Sequence, residues 1–174
     1  MNTDKHGLKR AAERSASTIP SVVLSEPKLT KREKAAWLYP ISESAGWHFS
    51  LPSGKWLDVS TKNFEKLVRD KSLTTGDRTW PLSTNFKNVN EGDDLFVYTG
   101  DHDRGIIGYA SIKSVDRKKR AIVLSFDRTK CLQLLQKPVS ALVIRQWLWP
   151  RAAVADLTPY LAELKSSLPW TETI

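Results

Sequence analysis

The chain has 174 residues, 40% of them hydrophobic and 26% charged, the make-up of one ordinary globular domain and not of a fibrous or low-complexity chain. No apolar run approaches the roughly 18 residues of a membrane span, and no apolar segment near the N-terminus reads as a signal peptide, so a cytoplasmic protein is expected. One cysteine excludes an internal disulfide and a cysteine-based zinc cluster, while the net charge of +8 points to a polyanionic partner.

That charge is divided. Residues 1–34 hold eight Lys and Arg against four acids, and the remainder holds nineteen against fifteen, so each part contributes +4. Residues 1–33 are polar, with Lys5, Lys9, Arg10, Arg14, Lys28, Lys31 and Arg32 among Ser, Thr, Pro and Ala. They read as a disordered basic N-terminal arm, free to grip a nucleic-acid backbone or only to aid solubility. Residues 34–174 are expected to form the folded domain.

Within that domain, Ala36-Trp37-Leu38-Tyr39 predicts a strand stopped by Pro40, which lacks the ladder N–H. Trp47 to Leu51 and Trp56 to Val59 flank a turn at Pro52-Ser53-Gly54. Ser60 is placed to cap a helix with apolar Phe64, Leu67 and Val68 at i, i+3 and i+4. The stretch from Gly76 to Asn85 has neither helical nor strand period. Asp94 to Tyr98 predicts a strand entered through Gly92-Asp93, and Gly105 to Ile112 its antiparallel partner across the loop Thr99–Arg104. Ala121 to Phe126 follows a basic turn, Arg117-Lys118-Lys119-Arg120. Cys131, Leu132, Leu134 and Leu135 suit a short helix, Ala141 to Ile144 a final buried strand, and Leu157, Tyr160, Leu161 and Leu164 a closing helix. Strands interleaved with short helices indicate α+β, closed as a strongly bent sheet or small β-barrel.

Among seven tryptophans, Trp37 reads as a core residue, Trp147 and Trp149 as neighbours on one face of the last strand, and Trp170 as part of a tail. Trp80 differs, because it stands in the aperiodic stretch beside Ser83, Thr84 and Asn85. An aromatic ring on a loop can stack on a nucleobase, and hydroxyl and amide groups can bond its edge. The alternative is a Trp lid sealing the barrel, with Asn85 capping a short helix.

Trp80, Asn85, Gly92-Asp93, an aromatic-ended strand, a polar loop and Arg104-Gly105-Ile106-Ile107-Gly108, in that order, resemble the EVE and YTH branch of the PUA-like families. Trp37-Leu38-Tyr39-Pro40 is similar to the first strand of EVE domains, and the likeness covers about residues 35–150. It is nearest to the EVE-like modules found beside nucleases in bacterial defence systems. Two departures stand out. Pro40-Ile41-Ser42-Glu43 replaces the usual Ser-Glu-Pro, and the Gly-x-Lys-x-x-Glu signature of the ASCH group is absent.

The resemblance implies a PUA-like barrel that takes a methylated or hydroxymethylated base into an aromatic pocket. Trp80, Ser83, Thr84 and Asn85 would form one wall, with Trp37, Tyr39 or Trp47 opposite and Tyr98 near the floor; strand alternation could equally bury Tyr98. Arg78, Arg104, Arg117, Lys118, Lys119 and Arg120 are the expected phosphate contacts, the last four otherwise being a solvated turn. The implied partner is nucleic acid, DNA ahead of RNA, with an effector nuclease in trans. An RNA-binding accessory domain and a protein-interaction or small-ligand module are the other readings.

No catalytic centre is expected. His6, His48 and His102 lack partners at metal-ligand spacing, Cys131 has no nearby histidine, and no phosphate-cradling glycine loop is present. Neither metal nor cofactor is implied.

Overall fold

The computed structural model describes residues 32–43, 48–50, 56–58, 60–70, 78–82, 84–150 and 153–170. The chain divides into two units, Met1–Arg32 and Glu33–Ile174, and every element below belongs to the second. Eight strands, β1 (Ala36–Ile41), β2 (His48–Ser50), β3 (Trp56–Asp58), β4 (Arg78–Pro81), β5 (Asp94–Thr99), β6 (Gly105–Asp116), β7 (Ala121–Phe126) and β8 (Ala155–Asp156), form one mixed sheet. Its order is β3-β2-β4-β7-β6-β5-β1-β8. Four helices accompany it: α1 (Thr61–Arg69), α2 (Arg128–Gln136), α3 (Ala141–Trp147) and α4 (Leu161–Ser167). The class is α+β. Among the described residues the ladder is open, with no pairing between β3 and β8 to close a barrel.

The interior of the sheet is β5, buried at all six positions between β1 on one side and β6 on the other. β1 is parallel to β5 and β6 antiparallel to it. Alternation divides the side chains between two faces. Trp37, Tyr39, Ile41, Leu95 and Val97 join Trp80, Leu82, Phe64, Val68, Ile122, Leu124 and Phe126 in one core. Ala36, Leu38, Phe96 and Tyr98 join Ile106, Leu134, Ile144, Leu157 and Leu164 in the other. Both faces are covered.

Local chemistry sets the helix starts. Ser60 caps α1 by accepting from the Asn63 N–H at 3.2 Å, and Asp127 caps α2 by accepting from Lys130 N–H at 3.0 Å. At the other end of α1, the Arg128 guanidinium donates to the carbonyls of Val68 at 2.9 Å and Arg69 at 3.1 Å, satisfying groups the helix leaves unpaired.

Three expectations are corrected. Pro40 does not stop β1, which continues to Ile41 with Pro40 opposite Tyr98. The N–H groups of Ala36, Leu38 and position 40 point away from β5; Ala36 donates to Thr158 on that side. β8 pairs only with Trp37 and Leu38, so the absent N–H of Pro40 falls beyond its end.

Ala141 to Ile144 is helix α3, not a strand. Ser140 Oγ accepts from Leu142 N–H at 3.2 Å, and the Ser140 carbonyl accepts from Val143 and Ile144. A short apolar run cannot tell strand from helix by period alone. The burial decides it, since Ala141 and Ile144 face inward while Leu142 is 60% exposed.

The aperiodic stretch around Trp80 contains β4, which pairs antiparallel with β7 so that Trp80 lies opposite Ile122. Four residues ending in proline are too few to register as a strand by alternation. The expected turn at Pro52-Ser53-Gly54, Gly76 and most of the basic arm lie outside the described residues.

Candidate nucleic-acid interface

The expected aromatic pocket is a filled core. Trp80 is 1% exposed. Its ring meets Tyr39 at 4.8 Å between centroids, Phe126 at 5.3 Å and Phe64 at 6.4 Å. A base sandwiched between Tyr39 and Trp80 needs about twice the separation of one aromatic contact, and these two rings are already in one. Trp80 is therefore a strand residue inside the sheet's packing, not an open stacking platform on a loop.

The other proposed walls are also spoken for. Trp37 is buried, its indole N–H donating to Asp93 Oδ2 at 2.9 Å. Tyr39 donates its hydroxyl to the Pro81 carbonyl at 2.7 Å, and burial drives its phenol pKa well above the ordinary value. Tyr98 belongs to the opposite face of the sheet from Trp37, Tyr39 and Trp80. One pocket cannot be lined by all four, because β1 and β5 stand between. Thr84 and Asn85 both turn to the Val154 carbonyl, at 3.3 Å and 2.7 Å. Asn85 adopts φ 55°, and its own carbonyl accepts from Asn88 and Val89, so it organises a turn and its side chain caps no helix. Trp47 and Ser83 lie outside the described residues, and for Arg78 only the backbone is described.

The expected phosphate contacts separate into two places. β6 runs from Gly105 to Asp116, so Arg104 and Arg117 stand at its opposite ends. Arg104 is ion-paired with Glu65. It does not join the basic turn.

Arg117, Lys118, Lys119 and Arg120 form the exposed turn between β6 and β7. Asp116 Oδ1 accepts from the N–H groups of Lys118 at 3.0 Å and Lys119 at 2.9 Å, and Arg120 takes φ 50°. The two arginines reach to one neighbouring segment. Arg117 Nη2 donates to the Val89 carbonyl at 3.2 Å and to Asn90 Oδ1 at 3.1 Å. The Arg120 guanidinium lies 4.6 Å from the centroid of Phe86. These contacts join the basic turn to the turn Phe86–Asn90, which carries exposed Lys87. Lys113 is exposed on the adjoining end of β6. On the two turns, Lys87, Arg117, Lys118, Lys119 and Arg120 are exposed together with the carboxylates Glu91 and Asp116, the latter 3.9 Å from the Lys119 ammonium.

Two carboxylates that read from sequence as turn chemistry before a strand carry structural weight. Asp93 accepts from Ala35 N–H, Trp37 Nε1 and Asn90 N–H at 3.3, 2.9 and 2.9 Å. Asp94 is buried, pairs with Lys34 and accepts the Tyr109 hydroxyl at 2.7 Å. The only signal was the Gly92-Asp93-Asp94 step, which reads as ordinary turn chemistry. Among the described residues, no group of three or more His, Cys, Asp and Glu side chains is placed to hold a metal. No described helix is long and apolar enough to cross a membrane.

No protein-family model matches the chain, and no curated protein matches it. A structural match is the NMR structure of Rpa0253 from Rhodopseudomonas palustris, a structural-genomics target. It is 18% identical over 75% of this chain and 89% of that one, with a TM-score of 0.38. A likeness of this size transfers no function.

Proposed function

We propose that this chain is a nucleic-acid-binding module that engages the phosphate backbone through the surface formed by the β6–β7 turn and the Phe86–Asn90 turn. The observation that carries this reading is the bracing of the basic turn by Arg117 and Arg120 against a second, lysine-bearing turn. A solvated turn needs no such anchoring. Fixed cations lose less side-chain freedom on meeting phosphates, and each phosphate neutralised releases counterions.

The finer reading, a PUA-like fold with preference for DNA and for a modified base, is supported by the order of Trp80, Asn85, Gly92-Asp93 and Arg104–Gly108 and by the mixed sheet. The enclosure of Trp80 counts against that ring as the stacking platform. An effector nuclease as partner rests on the same resemblance.

The test is fluorescence anisotropy with DNA and RNA oligonucleotides, plain, methylated and hydroxymethylated, across a salt series. Binding is expected to weaken linearly in log K against log salt. In Lys118→Glu/Lys119→Glu it falls by at least about tenfold, because two phosphate contacts become repulsions. Equal binding by wild type and that variant would remove the interface from consideration. RNA above DNA would point to the RNA-accessory reading, and no binding at all to a protein-interaction module.

A further inference from the structure

The two arginines of the β6–β7 turn are held in different ways. Arg117 spends donors on the protein, its Nη2 donating to the Val89 carbonyl at 3.2 Å and to Asn90 Oδ1 at 3.1 Å. Arg120 is held by its charge, with the guanidinium carbon 4.6 Å from the Phe86 centroid. A contact of that kind engages the ring face and does not consume the N–H donors that a guanidinium offers to an oxyanion. Arg120 is exposed where it makes this contact.

Three constraints fix where that guanidinium sits. The Arg120 backbone takes φ 50°, a left-handed conformation that glycine enters freely and arginine enters at a cost. Its carbonyl accepts from the N–H of Leu82, a core residue, at 2.7 Å. Phe86 is partly buried and packs against the core cluster that contains Leu82. The root and the tip of the Arg120 side chain are therefore anchored separately. The lysines differ. Asp116 orders the backbone N–H groups of Lys118 and Lys119, while the Lys119 side chain is 83% exposed and meets Asp116 only at 3.9 Å. An ammonium on a flexible stem supplies charge without a fixed direction.

We infer that Arg120 is the specificity-determining residue of this interface, gripping one backbone phosphate through two parallel N–H···O bonds. Phe86 is its positioning residue, and Arg117 is the brace that aligns the two turns. The assignment rests on the phosphate-backbone reading above and names the cation that recognises the shape of the phosphate as well as its charge. A phosphodiester presents two unbridged oxygens that match the guanidinium fork, whereas a lysine meets the same group as a point charge.

The experiment is anisotropy of labelled DNA and RNA oligonucleotides with the full chain across a salt series, with unfolding midpoints measured in parallel. Arg120→Lys keeps the charge, so the slope of log K against log salt should hold while affinity falls by at least about fivefold at each salt concentration. Arg120→Gly suits the backbone at φ 50° and should keep the wild-type midpoint, losing affinity and about one unit of slope. Phe86→Leu should weaken binding by about threefold or more in the wild-type background and leave it unchanged in Arg120→Gly, and Phe86→Tyr, which keeps the ring, should bind as wild type does. Arg120→Lys binding as tightly as wild type overturns the proposal. So does a Phe86→Leu loss that persists without Arg120, or a collapsed midpoint in Arg120→Gly, which would make the ring contact structural. Wild type that binds no oligonucleotide removes the underlying reading as well. Binding that is weakened by Lys118→Glu/Lys119→Glu but indifferent to Arg120→Lys leaves that reading standing and removes this inference alone.

Discussion

Tyr39 and Trp80 meet edge to face with ring centroids 4.8 Å apart, and the Tyr39 hydroxyl holds the same strand by donating to the Pro81 carbonyl. β1 and β4 are not neighbours in the sheet, so this pair ties two separated strands across one face of the core. Phe64 of α1 and Phe126 of β7 close the group around the indole.

Trp80→Ala should accordingly act on stability. Removing a buried indole from that aromatic group is expected to cost about 3–5 kcal/mol, read as a lower denaturant midpoint with unchanged slope. Oligonucleotide affinity of the folded variant should stay within about twofold of wild type. A selective loss of modified-base binding with full stability would instead return Trp80 to the binding site.

Asp93 is buried and gathers three donors, from Ala35, from Trp37 of β1 and from the Asn90 turn. Asp93→Ala leaves those donors without their acceptor and is expected to destabilise by roughly 3 kcal/mol. Trp37→Phe keeps most of the packing and removes one donor, so its cost should be nearer 1–2 kcal/mol. Chemical denaturation orders the two, and the reverse order would contradict the bonding described.

Arg104 provides the control for the interface. It is paired with Glu65 at the far end of β6 from the basic turn. Arg104→Ala is expected to leave the salt dependence of oligonucleotide binding unaltered, whereas Lys118→Ala/Lys119→Ala should reduce its slope by nearly two. Equal effects would mean that the bound strand reaches both ends of the sheet.

Cys131 is buried, and desolvation pushes its thiol from an ordinary 9.0 up to about 12. Below pH 9 the group is neutral in both folded and unfolded chains and its contribution to stability is constant. Between 9 and 12 the unfolded chain loses a proton that the folded one retains, so stability falls by up to about 1.4 kcal/mol per pH unit. Tyr39 and Tyr109, also raised, add to the fall above their ordinary value of 10.0. Cys131→Ala should show a shallower alkaline decline in denaturation midpoint, beginning about one pH unit later. An unchanged profile would refute this origin.

Gly105 has φ +100°, and a Cβ there would lie 1.9 Å from the Val139 carbonyl oxygen, where Ile106 and Val139 form an isolated bridge. Gly105→Ala combines backbone strain with collision against backbone that cannot yield cheaply. A loss of about 3 kcal/mol or more is expected in thermal or chemical unfolding. A near-neutral result would mean that the approach of Val139 to β6 is adjustable.

Local chemistry was readable along the chain wherever neighbours in sequence decide the structure. Ser60 before the Phe64 and Val68 spacing announced α1, and the basic turn between two β-branched runs announced the β6–β7 hairpin. What the chain order could not convey is which strand lies beside which, and on what face. The parallel pairing of β1 with β5 carries Pro40 through the sheet and puts Tyr98 on the opposite side from Tyr39. The same pairing closes the space around Trp80, and helix α3 emerges from a run that reads equally as strand. Those outcomes rest on contacts between residues far apart in sequence, whose burial energy outweighs the weak local preferences of four-residue segments.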